Sequence, residues 1–145
     1  MSLYQKRIHY TENHGKGKIC LEVEIQRCVH KYGFTPEIYD VDFGDDECII
    51  SMEDLEEQCL ADKYGDLAEN IPIKYWEQIR TILAILFERE GIEYIDITPY
   101  NFIEKNDKIY IIDFGDAYYT HKSKEVNWFL KEVLDGHNGW NPDFK

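Results

Sequence analysis

Residues 94–119 read YIDITPYNFIEKNDKIYIIDFGDAYY, and the spacing of three polar residues within them decides how the chain is read. Asn101 follows Asp96 by five positions, and Asp113 follows Asn101 by twelve. Between the latter two, FIEKND and KIYIIDF predict a β-hairpin. Upstream, PIKYWEQIRTILAILFEREG at 72–91 predicts a helix. Pro72 suits its first turn, Trp76, Ile79, Leu83, Leu86 and Phe87 line one apolar stripe, and Gly91 ends it. The order is therefore helix, polar loop, hairpin, Asp-Phe-Gly.

The tetrapeptide Asp-Phe-Gly-Asp occurs a second time, in VDFGDDE at 41–47. There PEIYDVDF, GDD and ECIISM read as strand, turn and strand, with no polar loop before them. That copy is expected to be a solvated acidic hairpin tip. A carboxylate on a Phe-Gly turn can also hold magnesium beside a nucleotide, and the copy at Asp113 has the neighbours for it.

Composition bounds these readings. A chain of 145 residues with 43% hydrophobic and 14% aromatic residues suits one domain with a true core. A net charge of −13 argues against a nucleic-acid binder, since phosphate contacts need clustered Lys and Arg. It also repels ATP, so a nucleotide site here needs a divalent cation and a well-placed Lys. Cys20, Cys28, Cys48 and Cys59 lack zinc-ligand spacing. No apolar stretch approaches the roughly 20 residues that span a bilayer. These features predict a reduced, intracellular, cytoplasmic protein with no membrane partner.

Towards the N-terminus, LYQKRIHY at 3–10 alternates as a strand, and TENHGKGK at 11–18 reads as a loop. In ICLEVEIQRCVHKYG, at 19–33, Leu21, Ile25, Cys28, Val29 and Tyr32 make a helical stripe that ends at Gly33. An acidic connection occupies 53–70, a final helix is expected in SKEVNWFLKEVLDG at 123–136, and a tail follows.

The pairing of Asp-x-x-x-x-Asn with Asp-Phe-Gly, in this order, resembles the protein-kinase-like superfamily. The compact chain looks like its atypical members, such as RIO-type kinases and the small kinase of the tRNA threonylcarbamoyl-modification complex. The resemblance implies an α+β, minimal two-lobed protein-kinase-like fold: a small antiparallel sheet with one helix, packed on a mostly helical second lobe. It divides one domain, 1–145, into a reduced N-lobe at 1–53 and a reduced C-lobe at 54–145. It implies that Asp96 accepts or orients the proton of the acceptor hydroxyl, and that Asn101 and Asp113 hold Mg2+ beside ATP. Met52 takes the gatekeeper position, and the backbones of Glu53 and Leu55 meet the purine edge. Lys6, alternating with Tyr4 and Ile8, is the candidate phosphate-binding lysine, ahead of Lys16 and Lys18; Tyr4 then lies over the base. Glu22, which shares a helical face with Ile25 and Val29, is chosen over Glu24 to hold that lysine.

The departures shape the functional expectation. No Gly-x-Gly-x-x-Gly precedes Lys6, so with Lys6 in this role the first two strands of the small lobe are absent from the sequence. HGKGK has the wrong spacing for a phosphate loop. Tyr94 and Ile95 replace the usual His and Arg, and Thr98 stands where many Ser/Thr kinases carry Lys. The resemblance implies a phosphotransferase acting on a protein or small-molecule hydroxyl. The alternatives are a pseudokinase that binds nucleotide or a partner, and an acidic interaction domain. A partner or a second copy could complete the site, with Trp128, Phe129, Trp140 and Phe144 offering a contact; packing on the chain's own last helix is the other use for these rings.

Overall fold

Period-two alternation and one amphipathic helix build the upper half of the molecule in the computed structural model, which describes residues 2–144. Strand β1 (Leu3–His9) pairs antiparallel with β3 (Glu47–Glu53), and β3 pairs with β2 (Ile38–Phe43), giving the order β1-β3-β2. The register sets Tyr4 against Met52, Lys6 against Ile50 and Ile8 against Cys48. Ile8, Cys48, Ile50 and Met52 are buried in a cluster with Ile19 and Val23 of helix α1 (Lys16–Val29). Lys6 lies between Tyr4 and Ile8 on one face of β1, so the strand directs it to the side that α1 covers.

Helix α1 begins three residues before the expected segment and takes in Lys16, Gly17 and Lys18, which the sequence reading assigned to a loop. Gly15, in extended conformation, is its N-cap, and Lys18 reaches Asp116 at 3.2 Å. The helix closes in a 3-10 turn at His30–Tyr32, and Gly33 leaves it with φ of +80°. Glycine carries no Cβ to oppose that left-handed geometry. The β2–β3 hairpin turns where expected, with Gly44 N–H donating to the Glu47 carbonyl.

A short helix α2 (Leu60–Tyr64), absent from the sequence reading, interrupts the acidic connection. It is followed by helix α3 (Ile73–Glu90), with Pro72 as N-cap and Gly91 at φ +65°. Tyr75, Trp76, Ile79, Ile82, Leu83 and Leu86 bury their side chains in the larger core. Two-residue strands β4 (Ile92–Glu93) and β7 (Tyr118–Tyr119) pair, enclosing the hairpin β5 (Phe102–Lys105) and β6 (Lys108–Ile111). The last helix, α4 (Trp128–Leu134), is shorter than expected. Asn127 caps it, its side chain accepting from the Phe129 and Leu130 amides, so the chain before 127 stays outside the helix. Among the described residues the architecture is α+β, with small antiparallel sheets and four α-helices, and it agrees with a minimal kinase-like fold.

Trp140 does not stand free. It packs 4.5 Å from the Trp76 ring and 6.4 Å from Phe102, between centroids. No helix among the described residues is long and apolar enough to cross a membrane.

Candidate functional site

Lys6 Nζ lies 2.5 Å from Glu22 Oε2 and 3.1 Å from Asp113 Oδ1, bridging positions 16 and 107 residues away. Burial presses the Lys6 ammonium towards its neutral form. The charges of Asp113 and Glu22, together with the hydrogen bonds to both, outweigh that and hold its pKa above the ordinary lysine value. Glu22 is buried among Ile19, Val23 and Ile25, and one of its oxygens, Oε1, has no hydrogen-bond partner. The other lysines and the other glutamate are engaged elsewhere. Lys16 lies over the Tyr10 ring, Lys18 pairs with Asp116, and Glu24 accepts from the Tyr119 hydroxyl.

A cleft of about 530 Å³ opens in front of this cluster. Its walls bring together Lys6, Met52, Glu53, Leu55, Asn101 and Asp113, with Tyr4 opposite Met52 and half exposed. Met52 is buried, its sulfur 3.7 Å from the Gln26 amide nitrogen. The Glu53 N–H already donates to the Glu37 carbonyl, so any backbone contact from Glu53 to a purine edge falls to its carbonyl oxygen. Glu22 and Asp96 do not line the cleft. Glu22 stands behind Lys6, and Asp96 is held by the Asn101 amide, which donates to its main-chain carbonyl at 2.9 Å.

The hairpin explains why Asn101 and Asp113 meet. Asn101 immediately precedes β5, and Asp113 lies just beyond β6. The Ile112 amide closes the pair by donating to the Asn101 carbonyl at 2.9 Å. Asp113 itself has φ +61°, a left-handed geometry that costs a non-glycine residue on the order of 1–3 kcal/mol. Its own carboxylate offsets part of that by accepting from the Gly115 amide. A Cβ at Gly115 would meet Asp113 Oδ1 at 3.1 Å and Glu22 Oε1 at 3.2 Å, so a glycine is what lets the two carboxylates converge here. Burial lifts the Asp96 carboxyl above its ordinary range. The Asn101 amide opposes the lift, and the charges of Asp113 and Asp116 add to it.

Three residues that the sequence reading gave no role hold these loops. The Tyr94 hydroxyl donates to the Ile112 carbonyl at 2.6 Å while its ring meets Phe114 edge-on at 5.5 Å. Buried Glu93 accepts from the Tyr118 hydroxyl, the Thr120 hydroxyl and the Asn127 amide, tying the segment after Asp-Phe-Gly to β4. Buried Asn141 donates its backbone N–H to the Ile97 carbonyl and its side-chain amide to the Ile95 carbonyl, both at 2.8 Å. Bonds of this kind, to main-chain groups and hydroxyls far along the chain, leave no pattern in a sequence.

Among the described residues no group of three or more His, Cys, Asp or Glu side chains is placed to hold a metal ion, and the four cysteines are unpaired. A magnesium site of the expected kind asks for less, since one or two protein oxygens suffice when phosphates supply the others. Asn101 and Asp113 fit that requirement as hard oxygen donors.

No family model matches the chain. It is 31% identical over 125 residues to a probable serine/threonine-protein kinase BUD32 homolog from Archaeoglobus fulgidus. The match covers 83% of this chain and 58% of that protein, so the chain spans a little over half the length of its relative.

Proposed function

Because this chain belongs to the protein-kinase-like superfamily, we propose that it is a magnesium- and ATP-dependent phosphotransferase that delivers the γ-phosphoryl group to a hydroxyl of the Ser/Thr type. The observation that carries the reading is the junction of Lys6 with Glu22 and Asp113 at the inner wall of the cleft. An exposed lysine gains nothing from such placement, whereas a phosphate-binding lysine needs to be aimed and kept charged.

In this reading Lys6 binds the phosphates and Glu22 orients Lys6. Asn101 and Asp113 would hold magnesium, which would supply the positive charge that neutralises the triphosphate. Asp96 takes the proton of the acceptor hydroxyl as its oxygen bonds to the γ-phosphorus. The bond from that phosphorus to the bridging oxygen breaks, and its electron pair leaves with ADP. Tyr4 and Met52 bracket the base.

A second reading is a nucleotide- or partner-binding module without turnover; Glu53, Asp54, Glu57 and Asp62 in the cleft wall repel a triphosphate and so favour its partner-binding form. Melting with ATP, with and without magnesium, tests the first element common to both. At a ligand concentration near 100 times Kd the linkage is about 2.7 kcal/mol, or a rise of roughly 5–10 °C for a chain of this size. No rise with both ligands at millimolar concentration rejects the nucleotide site. Asp96→Asn then separates the two readings. Turnover lost with binding kept supports the enzyme, and a wild type that binds without any turnover supports the module.

A further inference from the structure

The Asn101 amide faces the Asp96 carboxylate, and the loop on either side of Asp96 is fixed through its main-chain oxygens. Asn101 takes the Asp96 carbonyl from one side, and Asn141 takes the carbonyls of both sequence neighbours, Ile95 and Ile97, from the other. Asn141 is 1% exposed, and its remaining side-chain atom accepts from the Asp143 amide at 3.0 Å, so every polar atom of that amide is used. Beside it, Trp140 is wedged against Trp76 and Phe102, which anchors the segment to α3 and to the start of β5. A surface tail has no need of a fully buried, fully bonded Asn. A loop that must present one carboxylate in one place does, because the neighbours of that carboxylate then cannot rotate their peptide planes.

We propose that Asn141 is the positioning residue of Asp96, and that residues 138–144 form the rear wall of the catalytic loop. This rests on the phosphotransferase reading for the role of Asp96, but the brace itself can be tested without it. The tail thus acts within its own chain, where the sequence reading also allowed a contact to a partner or second copy.

The experiment compares Asn141→Ala with wild type by amide hydrogen exchange over residues 95–101, and by ATP hydrolysis and magnesium–ADP binding. Exchange is expected to speed at least tenfold at a temperature where the variant remains folded. Turnover is expected to fall at least tenfold, with ADP affinity within about twofold of wild type. In an Asp96→Asn background the same substitution should lower residual turnover no further, because the group it positions is already gone. If Asn141→Ala does not fold, Asn141→Leu keeps the volume and the backbone bond to Ile97, and removes the donor to Ile95 together with the acceptor for Asp143 without burying a charge. Unchanged exchange at 95–101 in the folded variant, or an equal loss of turnover with and without Asp96, overturns the proposal. A wild type that binds no nucleotide rejects the phosphotransferase reading, while the exchange arm still decides whether Asn141 braces the loop.

Discussion

The two Asp-Phe-Gly-Asp segments share four residues and almost nothing else. At 42–45 the Phe43 ring is 39% exposed, Asp42 lies in a ladder strand, and Gly44 closes a hairpin. At 113–116 Phe114 is fully buried, Asp113 adopts φ +61°, and Gly115 admits two carboxylates. The difference comes from the neighbours. The first copy sits between two pairing strands, which leave its side chains to alternate into water. The second leaves a hairpin and meets an aromatic socket, Tyr94, that swallows the Phe and turns the Asp towards Lys6. A tetrapeptide is thus a set of possibilities, and tertiary contacts choose among them.

The sharpest way to break this comparison is to make the same change in both copies. Asp113→Asn is well suited, because Asn tolerates the left-handed backbone that Asp113 occupies. It should weaken magnesium-dependent nucleotide binding by at least ~100-fold, about 2.7 kcal/mol, read as loss of the thermal shift. Asp42→Asn should leave that shift as in wild type. Equal effects would mean that Asp113 does not hold the metal.

Next in size is the contrast in packing. Phe114→Ala empties a buried aromatic site and should cost about 3–5 kcal/mol, or roughly 10–16 °C in Tm. Phe43→Ala on the exposed strand should cost about 0.5 kcal/mol. Chemical denaturation of both variants measures this directly, and a Phe43 loss comparable to that at Phe114 would show that the hairpin belongs to the core.

How much of this was legible beforehand follows from the range of each interaction. The Lys6–Glu22 meeting could be anticipated, because a period of two in β1 and a stripe in α1 assign each side chain a face. The early start of α1 could not: Gly15 and Gly17 flank Lys16, and both weaken any local helical signal. The shorter α4 had a sign, Asn127 before an apolar run, which marks an N-cap better than the charged residues preceding it. Strands β4 and β7 are two residues each and exist only because distant partners are brought together, Glu93 with Tyr118 and Ile92 with Tyr119. Helix α2, five residues long, is likewise a product of packing, with Leu60 buried beneath it. Glu93 and Asn141 were invisible for another reason. Each is defined by the main-chain and hydroxyl groups it satisfies, and those partners lie 25 to 46 positions away along the chain.

The smallest expected effect lies at the fourth residue of each copy. Burial is the main reason that the Asp96 carboxyl titrates above its ordinary range, and Asp116 contributes through its charge. A base works only when ionised, so on the proposed phosphotransferase reading turnover should be lost through this raised pKa as pH falls, earlier than with an unperturbed Asp. Asp116→Asn removes a like charge and frees Lys18, which is bonded to Asp116 at 3.2 Å. Both changes favour the ionised form of Asp96, so the acid limb of the rate profile should move to lower pH. The displacement should be small, because the Asp116 side chain is 43% exposed and its charge is screened, and it should shrink further at high salt. Asp45→Asn, at the exposed hairpin tip, should leave the limb where it is. The same raised pKa also has a stability side. Its contribution is fully present below the unfolded-state pKa and is lost as pH rises through the folded value, so ionised Asp96 weakens the fold at neutral pH. Asp96→Asn should therefore melt higher than wild type at pH 7 while losing turnover, and a variant that melts lower there would place the strain of this loop in some group other than its carboxylate.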